Sequence, residues 1–178
     1  MYLETDRLII RSMELADVKA YIEMASDGSL DEDIFSGWNG DYSEWMPIWV
    51  KGAIQYDRED NPKKDYISYT IIEKKSGVPI GSVGCSYYED SGQVGIVYFI
   101  GAVYRGNRYA AEAIVAYTKY FFEHYDIPKM IATIRNENVS SWKVAEKAGF
   151  VLVEAKMYQD DNDDREKLYH FYEMIKEY

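Results

Sequence analysis

The chain has 178 residues, 47% hydrophobic and 29% charged, which suits one soluble globular domain with a sizeable core. With 31 acidic against 20 basic side chains and a formal charge of -11, it lacks the basic footprint of a nucleic-acid binder and favours cationic partners. No run of about eighteen apolar residues is available to span a membrane, "MYLETDRLIIR" has no apolar signal region, and the lone Cys85 fits a reducing compartment, so a cytoplasmic protein is expected.

"LETDRLIIRSM" predicts an opening strand, and "ELADVKAYIEMAS" a helix with Leu15, Val18, Tyr21, Ile22 and Ala25 on one face. In the acidic and aromatic region that follows, Trp38, Tyr42, Trp45 and Trp49 recur at helical spacing. Ser43 is the expected cap there, with Pro47 in the tolerant first turn. The stripe reads first as core packing and second as the lining of a cleft. Strands in hairpin order come next: "DYISYTIIEK", "PIGSVGCSYYE" and "QVGIVYFI", joined by turns at "KSG" and "EDSG".

Then the pattern changes. "RGNRYAAEAIVAYTKYFFEHY" is helical, "PKMIATIR" is a strand, and "NVSSWKVAEKAGF" is a short helix closed by Gly149. A strand–helix–strand unit implies parallel pairing through a right-handed crossover. "FVLVEAKMY" and "EKLYHFYEMIKEY" close the chain as strands around the polar turn "QDDNDDR". Asp160, Asn162 and Asp164 have calcium-loop spacing, but Arg165 stands where such a loop needs glycine and Phe171 where it needs glutamate. His124 and His170 lack partners at ligand spacing, so no metal is expected.

The chemistry concentrates in "GIVYFIGAVYRGNRYAAEA", where a strand runs into a helix that opens at Gly106, Asn107 and Arg108. A helix N-terminus presents unpaired N–H groups and partial positive charge to an anion. Gly106 permits close approach, Ala110 and Ala111 keep the first turn narrow, and Arg105 and Arg108 add charge. This describes a pyrophosphate cradle; taken alone, it equally describes a plain strand–helix turn with solvated arginines.

The stretch resembles motif A of the GNAT superfamily of acyl-CoA N-acyltransferases: Arg or Gln, two residues, Gly, one residue, then Gly or Ala. Arg105 and Ala110 fit, and "YAAEA" is similar to the usual continuation, whereas Arg108 takes the place of the main glycine. "NVSSWKVAEKAGF" is similar to a later motif of the superfamily, with Asn138, Ser141, Lys147, Gly149 and Phe150 in register. "LETDRLIIR" resembles the start of the branch holding the ribosomal-protein alanine N-acetyltransferases. Together these cover nearly the whole chain as a single domain, 1–178. They imply an α/β fold: a mixed, mostly antiparallel sheet of about seven strands flanked by helices, with one parallel pair splayed around the coenzyme.

The resemblance implies transfer of an acetyl group from acetyl-CoA to a primary amine. It implies that amides at Tyr98, Phe99 and Ile100, at a strand bulge, polarise the carbonyl. Arg105, Gly106, Asn107, Arg108, Tyr109, Ala110 and Ala111 would hold the pyrophosphate, Asn138 the pantetheine arm, and Ser141 would protonate the departing thiolate. The branch often has a glutamate where this chain has Gly95; Glu89 and Asp90 are nearby substitutes. A lysine amine with a pKa of about 10.4 is roughly 0.04% neutral at pH 7, against over ~10% for an α-amine near 7.8, so a site without a strong base suits a peptide N-terminus. Polyamines and aminoglycosides are alternative cationic acceptors, and a module that binds acyl-CoA without turnover is the non-enzymatic alternative. A monomer or homodimer is expected. A dinucleotide oxidoreductase is disfavoured, because no Gly-x-Gly-x-x-Gly follows a strand.

Overall fold

The opening run folds as a hairpin where one strand was expected. Thr5 and Asp6 break it, the Thr5 amide donates to the Leu8 carbonyl at 3.0 Å, and β1 (Tyr2–Glu4) lies antiparallel to β2 (Leu8–Ser12). The structure, a computed structural model, describes residues 1–30, 41–160 and 163–176. A 3-10 turn at Leu15–Asp17 leads into α1 (Val18–Ala25). Next come α2 (Tyr42–Glu59), β3 (Tyr66–Glu73), β4 (Val78–Tyr88) and β5 (Gln93–Ile100). A second 3-10 turn at Ala102–Tyr104 precedes α3 (Tyr109–His124), β6 (Lys129–Arg135), α4 (Val139–Lys147), β7 (Val151–Tyr158) and β8 (Lys167–Ile175).

Among the described residues, 8 strands join one sheet in the order β1-β2-β3-β4-β5-β6-β8-β7, one strand more than the sequence predicts, because of the opening hairpin. The pairings are antiparallel except β5 with β6, which run parallel through a single register point, Gly95 opposite Ile131. Beyond that point β6 diverges. This is the splayed pair, and it opens the sheet beside the C-terminal half of β5.

Alternation along each strand sorts the two layers. Ile67, Tyr69 and Ile71 of β3, with Val83 and Cys85 of β4, pack with Ile114, Tyr117 and Phe121 of α3 and Ala145 of α4. The other face packs α1 and α2: Tyr21, Met24, Met46, Val50 and Ala53 gather with Phe99 of β5. β5 therefore offers Tyr98 to one layer and Phe99 to the other. The described members of the aromatic stripe, Tyr42, Trp45 and Trp49, are half-buried against this second cluster. Trp45 stacks on Trp49 at 6.0 Å, and Trp49 meets Tyr21 edge-on at 5.2 Å. Trp38 lies outside the described residues.

Two local expectations need correction. Asp41, not Ser43, caps α2, accepting from the Ser43 amide at 2.8 Å. Pro47 consequently falls in the second turn, where its missing N–H leaves the Ser43 carbonyl without its helical partner. The turn after β7 holds a buried anion that spacing alone does not reveal. Asp163 pairs with Arg135 and Lys167, both at 2.9 Å, and accepts from the Tyr169 hydroxyl. Burial opposes its charge, but these donors outweigh it and hold the carboxyl well below the usual range. Asn162, between Asp160 and Asp164, lies outside the described residues.

Candidate active site

The loop between β5 and α3 has the conformation an anion cradle needs, shifted slightly from expectation. The helix begins at Tyr109, so Gly106, Asn107 and Arg108 form the exposed approach to it. Gly106 has φ +80° and Arg108 φ 65°, both left-handed. Arg108 thus takes up a left-handed backbone shape that glycine adopts freely, at a cost of about 1–2 kcal/mol for a residue with a Cβ. Among the described residues, no hydrogen bond engages the N–H groups from Gly106 to Ala111, and a Cβ at Gly106 would meet nothing within 4 Å. Open space thus faces a run of donors at a helix N-terminus, and a coenzyme pyrophosphate fits that arrangement.

The loop is held from below by residues that sequence reasoning missed. Arg7, in the β1–β2 turn, donates from Nη1 to the Asn107 carbonyl at 2.9 Å. Its Nε reaches Glu112 Oε2 at 2.7 Å, while the Thr5 hydroxyl donates to Glu112 Oε1 at 2.6 Å. The same guanidinium lies 4.6 Å from the Tyr109 ring centroid, and the Tyr109 hydroxyl donates to Glu73. No local signal announces this clamp, since its partners lie about a hundred residues apart.

Arg105 is a correction. Its guanidinium is engaged by neutral oxygens of Ile100 and Ser29. Nε donates to the Ile100 carbonyl at 2.9 Å, and Nη2 to the Ser29 carbonyl at 3.1 Å and hydroxyl at 3.2 Å. It ties the end of β5 to the segment after α1. The bulge expected at Tyr98, Phe99 and Ile100 is also absent from the β4–β5 ladder, which pairs in register through Ile100. The opening there comes instead from the departure of β6 after Gly95.

At the opening, α4 approaches β5. Asn138 caps α4 by accepting from the Ser141 amide at 3.1 Å, and Gly149 ends it at φ +103°. The Tyr98 hydroxyl donates to the Ser141 carbonyl at 2.8 Å and lies 2.9 Å from Ser141 Oγ. One phenolic proton cannot serve both contacts, so with the carbonyl taking it, Ser141 Oγ donates to Tyr98. Burial pushes Tyr98 up to about 12 although the Ser141 bond pulls the other way, so it stays protonated at neutral pH. The structure brings Tyr98, Asn138 and Ser141 together; Phe99 and Ile100 are buried, their side chains turned into the two core layers.

The position of the branch glutamate is occupied by a neighbour. A Cβ on Gly95 would lie 2.4 Å from Cε2 of Tyr88, so the ring of Tyr88 covers that backbone. Burial, then Asp160, Tyr158 and Asp90, push Tyr88 up to about 12, so it is no base at neutral pH. Glu89 and Asp90 are both exposed; Asp90 accepts from the Ser91 amide at 2.8 Å and from the Tyr158 hydroxyl at 3.3 Å. Cys85 is buried, and burial raises its thiol to about 11, which leaves it inert. Among the described residues, no group of three or more His, Cys, Asp or Glu side chains could hold a metal, and no helix is long and apolar enough to cross a membrane.

Residues 7–151 match the family described as acetyltransferase (GNAT) domain. The chain is 27% identical over 149 residues to the uncharacterized N-acetyltransferase YnaD of Bacillus subtilis (strain 168), covering 84% of this chain and 82% of that protein. Its fold is similar to a GNAT-family acetyltransferase from Bacillus anthracis, with TM-score 0.82 and 22% identity over 99% of both chains. It is also similar to RimL, a ribosomal L7/L12 alpha-N-protein acetyltransferase in complex with coenzyme A, with TM-score 0.78 and 14% identity over 98% of each chain. A family match across most of the sequence thus agrees with a splayed parallel pair, an open amide loop and a capped α4: the chain belongs to the GNAT acetyltransferases.

Proposed function

We propose that the protein transfers the acetyl group of acetyl-CoA to a primary amine, and that the acceptor is the α-amine of a protein or peptide. The observation that carries the reading is the junction of β5, α3 and α4, where open N–H groups from Gly106 to Ala111 follow the C-terminal end of β5, the end that carries the Tyr98–Ser141 pair. Acetyl-CoA supplies an activated thioester. Amides of the loop would hold its pyrophosphate and Asn138 would orient the pantetheine arm. The neutral amine would form the N–C bond as the C–S bond breaks, Ser141 would pass its proton to the leaving sulfur, and the proton shed by the acylated nitrogen would return to Ser141 through solvent. The RimL likeness supports a protein N-terminus as acceptor.

The covered backbone at Gly95 favours the same choice. No carboxylate occupies the place where the branch often has its base, and neutralising a lysine costs about 3.5 kcal/mol more than neutralising an α-amine. A panel of basic peptides with free or blocked N-termini, assayed for thiol release, tests this. Free peptides should turn over with rates that climb toward pH 8 and then level off. Equal rates on blocked peptides that contain lysine would overturn the α-amine assignment, and no release with any amine would leave a binding module.

Coenzyme binding has its own test. Gly106→Val places a branched side chain at φ +80° in open space, so the protein around it is not crowded but the room for a ligand is filled. Affinity for CoA should fall at least about tenfold, or ~1.4 kcal/mol. Gly77 is the control, with φ +70° and equally open surroundings in the β3–β4 turn. Gly77→Val should bring the same backbone strain and leave CoA binding, read by calorimetry, unchanged. Equal loss in both variants would assign the effect to strain.

A further inference from the structure

β7 ends the sheet, and among the described residues nothing pairs with its outer edge. The opposite edge, β1, is only 3 residues long and offers little to a partner. β7 runs 8 residues without proline, and it leaves Val151 67%, Leu152 46%, Val153 60% and Met157 56% exposed. A long apolar edge of this kind is a template for another strand, and folded proteins normally shorten, charge or cover it. Here the charged residues are Glu154 and Lys156, which pair with each other along the strand at 2.7 Å.

We propose that β7 pairs antiparallel with β7 of a second copy of this chain, across a two-fold axis at Ala155, so that the two sheets become one. The charge pattern selects both partner and register. Residues opposed in an antiparallel ladder must both turn their backbone groups toward the partner strand or both away from it. A self-pairing strand can therefore centre only on a residue, never between two. Centring on Glu154 would oppose it to the partner's Glu154, and centring on Lys156 would oppose two lysines. Centring on Ala155 sets Glu154 against the partner's Lys156 and Lys156 against the partner's Glu154, so two favourable pairs form by symmetry.

The apolar residues follow the same register. The ladder with β8 shifts between Leu152 and Glu154, which leaves Val153 as the bulged residue. About the Ala155 axis, Met157 reaches the partner's Val153, so an exposed apolar residue on each strand is covered by one on the other. The bulge reverses the backbone beyond Val153, so the shared ladder runs from the bulge to Met157.

Sedimentation of the full chain, from low micromolar to about 100 µM, reads the outcome directly. The wild type should be dimeric at the upper end. Glu154→Lys and Lys156→Glu should each raise the dimer dissociation constant at least about tenfold, because each brings like charges together at two symmetric positions. The double variant, Glu154→Lys with Lys156→Glu, restores opposite charges in this register and should bring the constant back to within about threefold of wild type. Ala155→Cys gives an independent reading, since the axis places the introduced thiols face to face for a short bis-maleimide while Cys85 is buried. A monomeric wild type, a dimer indifferent to both single reversals, a double variant that fails to recover, or no crosslink at position 155 would each overturn the proposal.

Discussion

Asp17→Ala is expected to destabilise the protein by about 3–5 kcal/mol, the cost of breaking a buried ion pair by removing one partner. Asp17 is 2% exposed in the 3-10 turn before α1. Arg11 of β2 donates to both its oxygens, at 2.9 and 2.7 Å, and the Glu14 amide and Thr70 hydroxyl each donate to Oδ2. The Tyr21 hydroxyl continues the network by donating to Thr70 Oγ1 at 2.9 Å. Alanine would leave the Arg11 guanidinium half-buried with its main partner gone, and an amide and a hydroxyl unpaired beneath α1. In urea unfolding, the midpoint should drop sharply at an unchanged slope. A midpoint near wild type would mean that water replaces the carboxylate.

The same group makes stability depend on acid. Burial opposes the Asp17 charge, yet the Arg11, Glu14 and Thr70 donors outweigh it, and the carboxyl lies below its ordinary value in the folded protein. A carboxyl depressed on folding stabilises above its unfolded pKa of about 3.9, and the contribution is lost as pH falls through the lower folded value. Wild type should therefore lose stability below about pH 4 more steeply than Asp17→Asn, which cannot titrate there.

What could be read from the sequence divides along the range of the interaction. Hairpins, the parallel crossover and the α4 cap follow from alternation, turn residues and spacing within a few positions, and they appear where "DYISYTIIEK", "QVGIVYFI" and "NVSSWKVAEKAGF" put them. Side-chain direction at the cradle does not follow from such rules. Arg105 looks like a phosphate ligand in a string of residues, yet its guanidinium binds Ile100 and Ser29, a partner 76 residues away in sequence. The Arg7–Glu112 clamp spans 105 residues and exists only because the β1–β2 turn lands beside the start of α3. Arg108 carries a related lesson. Its side chain departs from the motif, while its φ of 65° lies in the left-handed region that favours glycine, which no residue pattern reports.

Ser141→Ala is expected to lower turnover at saturating acetyl-CoA by about 10²-fold or more, roughly 3 kcal/mol, while acetyl-CoA affinity changes less than ~threefold. A proton donor to the leaving sulfur acts as the thioester bond breaks, so its loss appears in the rate more than in binding. The geometry makes Tyr98 the rival donor. Its hydroxyl lies 2.9 Å from Ser141 Oγ and already gives its proton to the Ser141 carbonyl at 2.8 Å. That arrangement leaves the Ser141 proton as the one free to be redirected when a sulfur arrives, with Tyr98 supporting it. Tyr98→Phe should consequently cost less than Ser141→Ala, and the double variant little more than Ser141→Ala alone, since residues acting as one unit do not add. With Tyr98 raised to about 12 by burial, neither hydroxyl loses its proton below pH 10, and turnover should show no falling limb between pH 8 and pH 10. Near-normal turnover in Ser141→Ala with collapse in Tyr98→Phe would exchange the two roles. Full activity in both would place the donor on water.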